Sequence, residues 1–200
     1  MNATLVGGID EANKGQVLGP IFVALAYTKT DALTIPLISD SKKITLKALS
    51  RLDEFLKRYH IEFLIEEIAV QDLQQVNINT VIRDRMSKLI NTINLSHVVV
   101  DSHYKDPLKL KQELTQLTTN RTNLLVAHRA DENHPLVAVA SLVAYRRKLQ
   151  YFSDATKLYG QIGSGNLTDK LTIAYIRSNY PNIPILKKKW SLRSIFKDHD

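Results

Sequence analysis

The chain has 200 residues, 44% of them hydrophobic, no cysteine and a net charge of +7, with an isoelectric point near 9.5. That length suits one domain, or one domain with a short appendage, and the missing cysteines exclude disulfides and thiolate zinc sites. No run is long enough to span a membrane, and Met1-Asn2-Ala3 leads directly into a strand pattern without a basic leader segment, so a cytoplasmic protein is expected. The basic surface points to a polyanionic partner, nucleic acid first.

In chain order, Thr4 to Asp10 and Pro20 to Tyr27 read as strands, with Gly19-Pro20 as turn punctuation between them. The polar segment "SDSKKIT", Ser39 to Thr45, follows. Thr45 is placed to cap a helix reaching about Tyr59, with Leu46, Leu49, Leu52, Phe55 and Leu56 on one face. Ile61 to Ala69 is strand-like. Asn79 to Ile93 carries Ile82, Met86, Leu89, Ile90 and Ile93 at helical spacing. "HVVVD", His97 to Asp101, is a short buried strand, Pro107 to Leu117 an amphipathic helix, and "NLLVAH", Asn123 to His128, another strand. Pro135 opens a strongly apolar helix, where its missing N–H needs no partner. "GQIGSGNLTDK" is a glycine-marked loop, and Thr168 or Asp169 can cap the last long helix. The end, "ILKKKWSLRSIFKDHD", is basic with large apolar residues interleaved. Antiparallel strands followed by strands separated by helices give an α/β layout, with no internal repeat and no dividing linker.

Acids stand where the strands stop: Asp10 after the first, Asp101 after "HVVV", and Asp131 just beyond "NLLVAH". In open α/β sheets side chains from different strands converge at strand ends. Carboxylates gathered there raise one another's pKa, and a hard divalent cation with a preference for oxygen ligands compensates best. Two such ions can activate water and stabilise the leaving oxygen of a phosphodiester. Adjacent residues of a regular strand face opposite ways, so Asp10 and Glu11 are expected to share a site only if the strand ends or bends there. Acids and basic residues also begin turns and decorate surfaces for no catalytic reason.

Several ordered blocks resemble the type 2 ribonucleases H (ribonuclease HII), archaeal members above all. They are "GIDEANKGQVLGPIFVALAY", "DSKKIT", "VVVDS", "HRADENHPLVAVASLVAYRR" and "GSGNLTDKLT", together running from about Gly7 to Trp190. The resemblance implies a ribonuclease H-like mixed five-stranded sheet flanked by helices, spanning 1–160, with a small helical C-terminal part over 161–200 packed on it. It implies a site in which Asp10, Glu11, Asp101 and Asp131 are catalytic and hold Mg2+ or Mn2+, with two ions. It also implies cleavage of the RNA strand of RNA–DNA hybrids to 5′-phosphate and 3′-hydroxyl ends. The competing readings are a DNA nuclease or resolvase on the same core, and a non-catalytic hybrid-binding module.

The family's Gly-Arg-Gly, whose backbone amides read the 2′-hydroxyl, stands here as Asn13, Lys14 and Gly15. Asn13 tolerates positive φ, so the turn is expected to persist. The family's sugar-stacking tyrosine falls at Asn166, and Tyr145 stands where a lysine is usual. Weaker excision at a single embedded ribonucleotide is therefore expected. Lys42, Lys43, Tyr145 and Arg146 are further candidates for nucleic-acid contact; Arg146, Arg147 and Lys148 either face the duplex or favour the negative end of the preceding helix. Ser141 reads as a packing residue. His103, His128 and His134 flank the acids without zinc spacing. Leu192, Ile195 and Phe196 have the spacing of a sliding-clamp-binding tail, with Lys189 where glutamine is expected. A monomer is expected, and no membrane partner.

Overall fold

The computed structural model describes residues 4–29, 35–38, 46–74 and 76–196. The segment with Lys42, Lys43 and the expected Thr45 cap lies outside the described residues. The strands are β1 (Val6–Ala12), β2 (Ile21–Thr28), β3 (Glu62–Ile68), β4 (His97–Asp101) and β5 (Asn123–Ala127). The helices are α1 (Leu46–Arg58), α2 (Ile78–Thr92), α3 (Pro107–Leu117), α4 (Pro135–Tyr159), α5 (Lys170–Asn179) and α6 (Arg193–Phe196). The strands form one five-stranded sheet in the order β3-β2-β1-β4-β5. The β1–β2 and β2–β3 pairs are antiparallel and the β1–β4 and β4–β5 pairs parallel, the mixed sheet expected.

Period-two alternation sorts β2 between two cores. Ile21, Val23 and Leu25 pack with Ile82, Met86 and Leu89 of α2 and Leu110 and Leu114 of α3. Phe22, Ala24 and Ala26 pack on the other face with α4 and with Leu52 and Leu56 of α1. This two-sided burial is why β2 reads as a continuous apolar run. On β1 the same alternation gives Ile9 to the α2/α3 core and Gly8 to α4. A Cβ on Gly8 would lie 2.3 Å from the Val137 nitrogen and 2.4 Å from the Leu136 carbonyl carbon. The glycine lets the first turn of α4 rest directly on the strand. A third cluster joins Val17 and Leu18 to Phe152 of α4, Ile176 of α5, and Ile183 and Ile195 beyond it.

Two boundaries differ from expectation. Strand β1 continues through Asp10 to Ala12, paired with β2 at Asp10↔Ala24, Glu11↔Val23 and Ala12↔Phe22. Helix α4 runs on to Tyr159 because Phe152 and Ala155 keep its apolar stripe in contact with the third cluster. Arg146, Arg147 and Lys148 therefore sit in mid-helix, not beyond its end, and the helix-end reading of them is corrected. Asp169, not Thr168, caps α5, its carboxylate accepting from the Leu171 N–H at 2.9 Å.

Candidate active site

Strand β1 does not end at its acids; its neighbour does. The parallel pairing of β1 with β4 runs from Val6↔His97 to Ile9↔Val100, so Asp101 lies one residue past it, beside Asp10. Asp10 shares its strand face with Gly8 and turns toward α4, where the Ser141 side chain works against the rise in its carboxyl's pKa. Ser141 thus supports the acid besides packing in an apolar helix. Asp10 is 7% exposed, and its Oδ1 also accepts the Glu11 N–H at 2.7 Å. Glu11, on the opposite strand face, has the Lys14 ammonium and the Asp101 carboxylate as its charged neighbours and acts on Asp10 as well. The expected bend is not what unites the pair; the end of the β1–β4 ladder lets both acids see Asp101.

Asp101 is tied to the turn after β5, its Oδ1 accepting the Ala130 N–H at 2.6 Å. That turn is a short 3-10 segment, Ala130–Glu132, entered through Arg129 at φ 55°. It carries Asp131 close enough to repel Asp101. The four acids form an electrostatic chain, Asp10 and Glu11 to Asp101, and Asp101 to Asp131.

The chain is strained electrostatically. Burial first, then Glu11 and Asp101, push the Asp10 carboxyl well above its usual range. Burial pushes Glu11 up to about 7 in spite of Lys14. Asp101 is raised by burial and by Asp131, and Asp131 by burial and Glu132. Glu11 Oε2 is a buried atom with no hydrogen-bond partner. Among the described residues no three His, Asp or Glu side chains converge on a common ion position. The donor set nonetheless fits a hard divalent ion: it is all carboxylate oxygen, it is short of positive charge, and one of its oxygens is orphaned.

The following turn is well held. Asn13 takes φ 73°, and its Nδ2 donates to the carbonyls of Leu18 at 2.9 Å and Pro20 at 2.7 Å. The turn persists with asparagine because that side chain cross-links it to the entry of β2. Lys14 donates through Nζ to the His103 carbonyl at 2.7 Å, and Gly15 is exposed. His103 Nε2 faces the Asn79 carbonyl at 3.1 Å; a carbonyl only accepts, so Nε2 carries the proton. Burial holds its pKa down to about 4, which keeps the imidazole neutral and unable to act as a general acid near neutrality. His128 is exposed, its Nε2 facing the Lys105 carbonyl at 3.1 Å, and His134 stands at the N-cap of α4 without a side-chain capping bond.

The remaining candidates lie on α4 and in the glycine loop. Arg146 pairs with Asp53 of α1 and stands 5.8 Å over the Phe63 ring. Arg147 pairs with Glu67 at 3.1 Å. Lys148 is buried, its Nζ 5.4 Å from the Tyr145 ring centroid and 5.7 Å from that of Phe152. Asn166 is half-buried, its side chain accepting the Thr168 N–H at 3.1 Å within the glycine loop. Sequence reasoning missed Lys187 altogether. It is fully buried, and its ammonium donates to the Asn13 carbonyl and, at 2.8 Å, to that of Gln16. Nothing in "KKK" marks the first lysine as the inward one.

The chain is similar to known proteins along nearly its whole length. Residues 7–196 match the family described as Ribonuclease HII. Ribonuclease HII of Caldivirga maquilingensis is 31% identical over 196 residues, covering 94% of this chain and 92% of that one. A chain of the solved PCNA:RNase HII complex from Archaeoglobus fulgidus superposes with a TM-score of 0.81 at 26% identity, over 94% of this chain and 96% of that chain. Bst-RNase HIII, solved in complex with Mn2+, shares the fold at a TM-score of 0.70 and 20% identity, over 97% of this chain and 69% of that one.

Proposed function

The chain belongs to the ribonuclease HII family, and we propose that Asp10, Glu11, Asp101 and Asp131 form its active site, hydrolysing the RNA strand of RNA–DNA hybrids with Mg2+ or Mn2+. It is an endoribonuclease of the ribonuclease H type. The observation that carries the residue assignment is the gathering of buried Asp10 and half-buried Glu11, whose Oε2 has no hydrogen-bond partner, beside Asp101. A binding module would have no use for negative charge collected where phosphates must lie.

The four carboxylates would hold the cation, and the ion would supply the charge that polarises water and stabilises the departing 3′ oxygen. The chain's own residues do the rest. Ser141 favours the charged form of the Asp10 carboxylate, and the Ala130 N–H fixes that of Asp101. The turn at Asn13, Lys14 and Gly15 lies at the edge of the acids, placed to meet a ribose-containing strand through its backbone. The basic body gathers the polyanion. With asparagine at position 166, no ring is offered to a sugar, and a continuous hybrid is the favoured substrate over a duplex with one embedded ribonucleotide.

Labelled hybrid, DNA duplex and junction DNA, each with Mg2+, with Mn2+ and with EDTA, test the reading. Cation-dependent cutting of the RNA strand to 5′-phosphate ends is expected. Cutting of either DNA substrate in preference to hybrid would replace it with the nuclease or resolvase reading. The Archaeoglobus relative was solved with PCNA, and the same kind of clamp contact is proposed for the tail. Ile195 is 2% exposed and its carbonyl accepts from Arg177, whereas Phe196 is 45% exposed beside Tyr180. Clamp binding therefore requires Ile195 to leave its cluster, and a pull-down that retains no clamp would end the idea.

A further inference from the structure

Lysine is rarely fully buried without a carboxylate, because desolvating an ammonium costs several kcal/mol. Lys187 is 0% exposed, and none of the ion pairs among the described residues includes it. Its ammonium instead faces two backbone carbonyls, those of Asn13 and Gln16, and the Trp190 ring, whose centroid is 5.1 Å away. Burial and the neighbouring Lys148 push its pKa down to about 7. The backbone around it is equally committed. The Lys187 N–H donates to the Val17 carbonyl at 2.8 Å, the Gly19 N–H to the Ile185 carbonyl at 2.8 Å, and Leu18 bridges Leu186. On the other side, the Val17 N–H donates to the Gly165 carbonyl at 2.8 Å.

This arrangement has a geometric consequence. A trans peptide holds its C=O and N–H antiparallel. With the Asn13 carbonyl drawn in to Lys187, the Lys14 N–H must point the other way, and no backbone acceptor among the described residues takes it. The buried lysine therefore sets the direction in which the Lys14 N–H points.

We propose that Lys187 is a positioning residue: its buried ammonium pins the carbonyls of Asn13 and Gln16 inward and so holds the turn in the form that binds the ribose-containing strand. The binding half of this statement rests on the function proposed above; the pinning half does not.

The test uses the full chain with Lys187→Met, which keeps the bulk and removes the donors, and Lys187→Arg, which restores cation and donors. Hydrogen exchange reads the pinning without any substrate. The Val17 and Gly19 amides should exchange at least about tenfold faster in K187M while those of α2 are unchanged. Steady-state cleavage of a continuous hybrid reads the binding: K187M should raise KM about tenfold or more with kcat within about twofold, and K187R should recover most of both effects. A merely structural lysine would instead lower kcat with the folded fraction and leave KM alone, which would overturn the proposal, as would unchanged exchange at Val17 and Gly19. If K187M fails to fold, Lys187→Gln, with a single neutral donor group, should give intermediate exchange and KM; wild-type values there would overturn it equally. A wild-type protein that cuts no hybrid would defeat the proposed function, while the exchange comparison would still decide the pinning.

Discussion

Replacing Glu11 by glutamine should make the ion-free protein more stable at about pH 8.5, although it deletes a residue assigned to the active site. Burial raises the Glu11 carboxyl from 4.5 to about 7 in the folded chain. A group whose folded pKa lies above its unfolded value contributes stability that is complete below the unfolded pKa and lost as pH rises through the folded one. Between about pH 4.5 and pH 7 the wild type thus gives up at most about 3 kcal/mol on account of Glu11, at ~1.4 kcal/mol per pH unit. Part of the side chain reaches solvent, so ~1.5–3 kcal/mol is expected. Glutamine never carries the charge and never suffers the loss. For a chain of this length about 2–4 °C accompanies each kcal/mol, so Glu11→Gln should melt ~3–12 °C above wild type in EDTA at about pH 8.5. The gap should close toward about pH 5, where Glu11 is protonated in the fold. Millimolar Mn2+ should reverse the order, because the wild type gains more from ligation. Calorimetric melting across this pH range, with and without ion, is the assay. A variant that melts below wild type at high pH in EDTA, or a gap indifferent to pH, would refute the argument that Glu11 is held at an electrostatic cost.

Asp10→Asn should reduce hybrid cleavage by more than ~100-fold, beyond what loss of a ligand's supporting partner costs, with hybrid affinity in EDTA largely kept; single-turnover rates beside anisotropy titrations check it. Asn166→Tyr should raise the rate on a duplex with one embedded ribonucleotide relative to a continuous hybrid; an unchanged ratio would deny position 166 any part in that choice. Gly8→Ala should cost ~3 kcal/mol or more, since its Cβ would meet the α4 backbone at 2.3 Å and backbone cannot step aside as a side chain can; urea melts against wild type measure it.

The sequence carried the framework where one rule governed the residues. The two-sided burial of β2 is written in its unbroken apolar run, and the α2 stripe of Ile82, Met86, Leu89 and Ile90 faces the core as its spacing requires. The convergence of Asp101 and Asp131 follows from parallel strands delivering their ends to one side of the sheet. Asp10 was found by a partly mistaken route: its own strand continues, and it is the shorter β4 that opens the site. What stayed illegible depended on contacts distant in sequence. Ser141 looks like any small residue in an apolar helix until Asp10 is set beside it. Lys187, Lys188 and Lys189 are one basic run in sequence; in space the first is buried, while the last donates from an exposed position to the Val76 carbonyl.

The same distinction explains how the fold tolerates its acids. Asp10 and Glu11 lie on β1 beyond its ladder with β4 but still paired with β2, at Asp10↔Ala24 and Glu11↔Val23, on a strand that α4 packs against. Backbone so held cannot move away to relieve repulsion between side chains, so the strain is retained as raised proton affinity and as an oxygen without a donor. A site on a mobile loop would relax, spread its carboxylates and weaken its claim on a cation. Lys14 sharpens the point. Its ammonium stands beside Glu11 yet is held by the His103 carbonyl, and Glu11 remains raised, so one tethered lysine does not satisfy the pocket. Lys14 is the one cation acting on Glu11 among the described residues, and under the proposed function the divalent ion supplies the rest, so the ion-free melting experiment and the ion-dependent cleavage experiment examine one property from two directions.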